Sequence, residues 1–178
     1  MSRFEALIEL GERSPFIFEK LSYAYSGALE YEKAILNLEA ALKLEPNNSV
    51  NRYRLGDLYF KAEDYRNAEL NLKHALEIQD APLDKEYSTL ATVYNYLKRP
   101  EDAVKYFKKA LKENPENESA RFSLVITKDS YYKDIEARIK LYEDYLKAYP
   151  NSQFKKWAED KLKRLKTEQF MSPEGNKN

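Results

Sequence analysis

The chain has 178 residues, enough for one ordinary domain or a short array of repeats. Thirty Lys and Arg balance thirty Asp and Glu, so the chain is neutral overall and lacks the strongly basic character that nucleic-acid binding usually requires. It has no cysteine, which excludes a disulfide framework and a thiolate metal site, and its four Gly and seven Pro argue against a loop-rich or all-β fold.

Residues 1–14 carry Arg3, Glu5, Glu9, Glu12 and Arg13 and contain no apolar signal-peptide core. No run is long and apolar enough for a membrane span, so a transmembrane segment is not expected. A cysteine-free chain suits cytoplasm and periplasm equally, and the compartment stays open. Phe4, Leu7, Ile8 and Leu10 form a helical stripe with no partner upstream.

Six helices are expected next, over 15–27, 31–44, 49–61, 65–78, 84–97 and 100–113. Their side chains recur in register. Leu21, Ser22 and Tyr25 return as Leu55, Gly56 and Tyr59, then as Leu90, Ala91 and Tyr94. Ala34, Leu38 and Ala41 return as Ala68, Leu72 and Ala75, then as Ala103, Phe107 and Ala110. Pro46 and Pro115 each follow five residues after the last alanine of their set, in turns of standard turn residues. Gly56 sits mid-helix, where glycine costs about 0.5–1 kcal/mol relative to alanine. Its register with Ser22 and Ala91 explains it: a second helix crosses there, and a larger side chain would push the two backbones apart.

Residues 118–149 read as a degraded further copy. Ala120, Phe122, Leu124 and Val125 open one helix, and Ile135, Ile139, Tyr142, Tyr145 and Leu146 mark the next. Tyr145 falls where other copies have alanine, which should loosen or tilt that contact. A last helix is expected over 152–168. Phe154, Trp157, Ala158, Leu162 and Leu165 lie on one face, with Lys155, Lys156, Lys161, Lys163, Arg164 and Lys166 on the other. Residues 169–178 read as a disordered tail.

This recurrence resembles the tetratricopeptide repeat, a helix–turn–helix unit of about 34 residues. Phe18 and Tyr87 fill the aromatic position early in the unit. Arg52 departs from it, and Asp80 stands where the pattern has proline. The resemblance implies an all-α, right-handed α-solenoid of antiparallel helical hairpins. Repeats are assigned to 15–48, 49–83 and 84–117, with a degenerate fourth at 118–151, a capping helix at 152–168 and a tail at 169–178. Residues 1–14 then read as a partial repeat or capping helix, which carries the expectation that the chain is the C-terminal part of a longer protein. The run from Tyr142 to Phe154 is similar to the longer repeat variant of bacterial periplasmic and envelope proteins.

In this family the first helices line the inner face of the superhelix. Stripes at i, i+3, i+4 spacing off the packing face place Glu19, Lys20 and Tyr23 there from the first copy. The second copy adds Tyr53, Arg54, Asp57, Phe60 and Lys61, the third Lys85, Ser88, Thr92, Asn95 and Tyr96, and the fourth Phe122. Tyr23, Tyr53, Phe60, Tyr96 and Phe122 are not demanded by the repeat pattern, and aromatics beside Arg and Lys have the composition of a binding surface. The alternative is that they cover seams between repeats. Adaptors of the family that grip chaperone tails use a Lys/Asn/Asn/Lys/Arg set. Here those positions are Glu19, Tyr23, Arg54, Lys85 and Thr89, of which only Lys85 agrees, so binding of such tails is not expected.

Nothing points to catalysis. His74 is the one histidine and reads as a surface residue; no phosphate-binding glycine loop and no nucleophile with a nearby base is present. No cofactor and no metal are expected. The resemblance implies a non-catalytic scaffold whose partner is another protein or a peptide segment, held in the concave groove. Two alternatives are a structural connector or self-association module using its end helices, and docking of the basic final helix on an anionic surface.

Overall fold

Side-chain caps start the helices where the sequence changes character. Ser14, Asn48, Asn117 and Asp134 each accept from a backbone N–H three residues on, at 3.4, 3.0, 2.9 and 2.9 Å. Pro100 occupies the first turn of its helix, where the missing N–H costs nothing. The computed structural model describes residues 3–78 and 83–171 as ten helices: α1 (Arg3–Glu9), α2 (Pro15–Gly27), α3 (Tyr31–Leu44), α4 (Ser49–Lys61), α5 (Tyr65–Ile78), α6 (Asp84–Tyr96), α7 (Pro100–Glu113), α8 (Glu118–Tyr131), α9 (Ile135–Ala148) and α10 (Lys155–Met171). The stretch from Asp80 to Pro82 and residues 172–178 of the expected tail lie outside the described residues. Each helix packs mainly on its chain neighbours, which makes a helical-repeat solenoid.

Three hairpins, α2/α3, α4/α5 and α6/α7, are built alike. Ala34, Ala41, Ala68, Ala75, Ala103 and Ala110 are fully buried on the second helices, interleaved with Leu38, Leu72 and Phe107. On the first helices Ser22 and Ala91 are buried at the crossing position. At Gly56 a Cβ would stand 2.7 Å from Leu72 Cγ and 3.2 Å from the Leu72 backbone nitrogen, so α4 and α5 approach closely because α4 has no side chain there.

The turn inside each of these hairpins passes through a left-handed residue: Leu29 (φ 60°), Glu63 (φ 61°) and Lys98 (φ 59°). The next N–H then closes on the carbonyl five residues back, Glu30 on Tyr25, Asp64 on Tyr59 and Arg99 on Tyr94, at 2.8–2.9 Å. None of the three residues is glycine, so each turn holds strain that a side chain imposes.

Between hairpins, a tyrosine hydroxyl on a first helix donates to a glutamate on the preceding second helix. Tyr59 reaches Glu39 at 2.7 Å, Tyr94 reaches Glu69 at 3.1 Å and Tyr131 reaches Glu101 at 2.9 Å. Tyr25 makes the same bond to Glu5 of α1. Glu5 and Tyr25 lie 34 positions before Glu39 and Tyr59, so α1 meets α2 as α3 meets α4.

The C-terminal end is built differently. Tyr142 and Tyr145 are buried where α7 has Phe107 and Ala110, and Ile126 stands at the crossing position of Ala91. Large residues on both sides keep α8 and α9 from closing as the other hairpins do. Aromatic rings fill the space: Phe122 stacks on Phe154 at 4.4 Å and meets the edge of Trp157 at 5.2 Å. The buried Asp129 carboxylate then ties the three helices together. It accepts from Arg138 Nε at 2.7 Å and Tyr142 at 3.1 Å and pairs with Lys161 at 3.1 Å. Burial pushes the Asp129 carboxyl up, but bonds from Arg138 and Lys161 outweigh this and hold it below its ordinary value. Lys161 therefore points inward, not onto the outer polar face expected of it. The final helix is also displaced from the expected 152–168. Ser152 Oγ accepts from Phe154 N at 2.9 Å and sets its start at Lys155, and residues 169–171 extend it.

Two substitutions test these constraints. Gly56→Ala should destabilise the fold by about 1 kcal/mol, because overpacking of about 1–3 kcal/mol exceeds the helix-propensity gain of about 1 kcal/mol. Glu63→Gly should stabilise it by about 0.5 kcal/mol by relieving the left-handed turn. Urea unfolding of both variants reads these differences.

Candidate interaction groove

The first helices α2, α4, α6 and α8 share one face, and side-chain hydrogen bonds join them across each seam. Asn51 Nδ2 donates to Glu19 Oε1 at 2.7 Å, linking α4 to α2. The Tyr53 hydroxyl lies 3.4 Å from Thr89 Oγ1, linking α4 to α6, and Asn95 Nδ2 donates to Thr127 Oγ1 at 2.8 Å, linking α6 to α8. Asp84 adds a further tie, accepting from Asn114 and Asn117 in the turn before α8 at 3.1 and 3.0 Å.

Two hollows lie on this face and share Asp57. The first, about 450 Å³, is lined by Glu19, Lys20, Tyr23, Arg54, Asp57 and Lys61 over a floor that includes Ser22, Leu38 and Leu58. The second, about 300 Å³, is lined by Tyr53, Asp57, Phe60, Lys85, Ser88, Thr89 and Thr92, with Ser119 and Ser123 of α8 opposite and Phe107 and Ala120 beneath. The floors come from the close-packed hairpins: a hollow opens where small residues let the second helix lie directly below.

The expected groove residues divide by what they already hold. Glu19, Tyr53 and Asn95 spend polar atoms on the seams just described. Ser88 and Thr92 donate their hydroxyls to the Asp84 and Ser88 carbonyls of α6 at 2.7 and 3.0 Å. Phe60 packs against Tyr65 and Tyr96, with centroids 6.0 and 5.4 Å away, and Tyr65 stacks on Tyr96 at 4.8 Å. Tyr96 remains 53% exposed on the outside of this cluster, beyond the second hollow. Phe122 does not reach the groove: it is 5% exposed and sealed between Phe154, Tyr145 and Trp157. The chain turn at Phe154, which carries that ring back over α8, was not legible in the helix periodicity.

Other groups keep open capacity. Tyr23 is 81% exposed. Lys20 lies over the Phe16 ring at 5.1 Å, Arg54 has only a long contact of 3.5 Å to Asn51, and neither Lys20, Arg54 nor Lys85 meets a carboxylate among the described residues. Asp57 pairs with Lys61 at 2.8 Å at the junction of the hollows; the bond to Asp57 is the largest influence on the Lys61 ammonium and raises its pKa. Burial raises the Tyr53 hydroxyl above its ordinary value. Among the described residues no cluster of three or more His, Asp or Glu is placed to hold a metal, and no helix is long and apolar enough to cross a membrane.

Stacked hairpins with one continuous inner face define a helical-repeat interaction scaffold. Residues 51–82 and 85–117 each match the Tetratricopeptide repeat family. Over these residues the chain is built of tetratricopeptide repeats. No curated protein matches it in sequence. Solved structures share its fold at low identity. MamA from Desulfovibrio magneticus RS-1 superposes with a TM-score of 0.70 at 18% identity, over 93% of this chain and 83% of that one. YrrB, described as a TPR protein with an unusual peptide-binding site, gives 0.67 at 19% identity over 93% of both. The first TPR of Spaghetti (RPAP3), bound to the HSP90 peptide SRMEEVD, gives 0.62 at 20% identity over 66% of this chain and 92% of that one.

The seams behind this face predict an alkaline limit to stability. Burial, and then the bond to Glu39, raise Tyr59 to about 12; burial and the bond to Glu69 raise Tyr94 to about 12. A pKa raised in the fold favours the protonated hydroxyl. Its contribution is therefore complete below the unfolded value of about 10 and is lost as pH rises toward about 12. The urea midpoint should fall across that window, and by less in a Tyr59→Phe, Tyr94→Phe variant; a midpoint independent of pH there would contradict the assignment.

Proposed function

We propose that this chain is a non-catalytic scaffold that holds a peptide or protein segment along the inner face of its solenoid. The observation that carries the reading is the exposed tyrosine and the two cations with no carboxylate partner among the described residues over the first hollow. Tyr23 stands almost fully exposed, and Lys20 and Arg54 lack carboxylates, above an apolar floor of Leu38 and Leu58. Exposed aromatic and Arg side chains over an apolar base are the usual anchors of binding energy. Lys61, Asp57, Phe60, Lys85, Ser88 and Thr92 continue the surface into the second hollow. Glu19, Tyr53 and Asn95 support it from behind, as the parts that fix one first helix to the next. Two of the fold neighbours are described with a peptide site or a bound peptide, which supports peptide binding as a use of this fold. Glu19 beside Lys20 still opposes a terminal carboxylate at that point, so a chaperone tail is not the proposed ligand.

A Tyr23→Ala, Arg54→Ala variant tests this without disturbing the fold, since both side chains are exposed. A partner captured by the wild-type chain should bind the variant about tenfold or more weakly, at unchanged melting temperature. A partner retained at full affinity would not be a ligand of the groove.

A further inference from the structure

The second helices repeat in register, so each is a control for the others. Two, five, six and nine positions after the first buried alanine, α3 has Leu36, Glu39, Ala40 and Lys43, and α5 has Leu70, Lys73, His74 and Glu77. With the histidine neutral, neither set carries net charge. Helix α7 has Lys105, Lys108, Lys109 and Lys112 in the same places. All four are exposed, on the side of α7 turned away from its buried Ala103, Phe107 and Ala110. None pairs with a carboxylate among the described residues. Lys109 lies over the rings of Tyr106 and Tyr87 at 4.9 and 5.3 Å, but a ring face does not neutralise an ammonium. Helix α8 packs on α7 and brings a further lysine. Lys128 is half-buried there, and burial together with Lys108 holds its ammonium below the ordinary value. The repeat does not require this row, and like charges so placed repel one another, in a chain that is neutral overall. Carboxylates bound the row at both ends. Glu101, one turn before Lys105, accepts from Tyr131 at 2.9 Å, and Glu113 and Glu116 follow Lys112.

We propose that this outer face of α7 docks an acidic helix of another protein, its carboxylates matched to Lys105, Lys108, Lys109 and Lys112 and to Lys128 beside them. Charge and length together select that occupant. The lysine row rises about 10 Å along α7, with neighbours about 5–6 Å apart, the spacing that Asp or Glu at i, i+3, i+4 and i+7 has on a second helix. In an extended segment the side chains of one face recur about every 7 Å, so they fall out of step with the row. A nucleic acid or an anionic membrane continues past the row and would meet Glu101, Glu113 and Glu116. A short acidic helix ends before them. No large apolar side chain of α7 is exposed for insertion into a bilayer. The face belongs to a second helix, whereas the groove is lined mainly by first helices, so this inference does not rest on the groove reading.

Fluorescence anisotropy of a labelled, alanine-based helical peptide with glutamates at i, i+3, i+4 and i+7 tests it on the full chain. Exposed ion pairs are individually weak, so a Kd on the order of 0.1–1 mM is expected at about 50 mM salt, weakening about tenfold or more at about 500 mM. A Lys105→Glu, Lys112→Glu variant should bind about tenfold or more weakly, at a melting temperature that is not lowered. Lys156→Glu, Lys163→Glu makes the same charge change on α10 and should stay within about twofold of the wild type, as should the groove variant Tyr23→Ala, Arg54→Ala. Absence of binding at low salt overturns the proposal, as does a peptide that responds alike to both lysine reversals or is lost with the groove variant. Equal binding of an isomer with its glutamates spread round the helix also overturns it. So does a single-stranded RNA, an anionic vesicle or a second copy of the chain that binds more tightly through the same lysines.

Discussion

The close approach of α4 and α5 at Gly56 is the contact on which the rest of the molecule depends. With no Cβ at Gly56, Leu72 and its backbone come directly under the first helix, and Ser22 and Ala91 hold the corresponding crossings in the neighbouring hairpins. Close crossing lets alanines and leucines interdigitate without voids, and density of this kind is what dispersion and burial reward. It also fixes where the inner face is hollow. The hollow floors include the second-helix residues Leu38 and Phe107, visible from the inner side because the first helices above them are thin at the crossing.

The C-terminal end relaxes that rule and is held together by other means. Ile126 and Tyr145 stand where small residues sit elsewhere, and α8 and α9 no longer close on backbone contact. Rings and a buried carboxylate take over. Asp129 would be costly to bury alone, but two cations and a hydroxyl surround it, so its charge is answered on every side the structure describes. Specific polar geometry replaces generic small-residue packing there.

Much of this was legible in the sequence because it depends on spacing. The recurrence of Leu, small residue and Tyr, then Ala, Leu or Phe, and Ala, locates six helices and their crossings, since each position answers to the same local geometry in every copy. The groove was legible only as a face. Which of its residues are open depends on partners some thirty positions away in the chain. Asn51 on Glu19 and Asn95 on Thr127 are pairings that no helical period contains. Phe122 shows the limit most clearly: its helical position faces inward, but the turn that brings Phe154 over it is held by bonds of Ser152 to Tyr145 and Phe154 and of Gln153 to Glu118. The inward reach of Lys161 was hidden for a similar reason, as its carboxylate partner lies on another hairpin.

Every seam carries few polar ties, and every tie joins one hairpin only to the next. A molecule joined this way has a compliance set by its weakest seam. Pulled from its two ends, it would open like a row of clasps, each releasing separately while the hairpins on either side stay wound. A guest lying across two adjacent hairpins would bridge the clasp between them, so occupancy would stiffen the coil locally and leave the remaining turns as extensible as before.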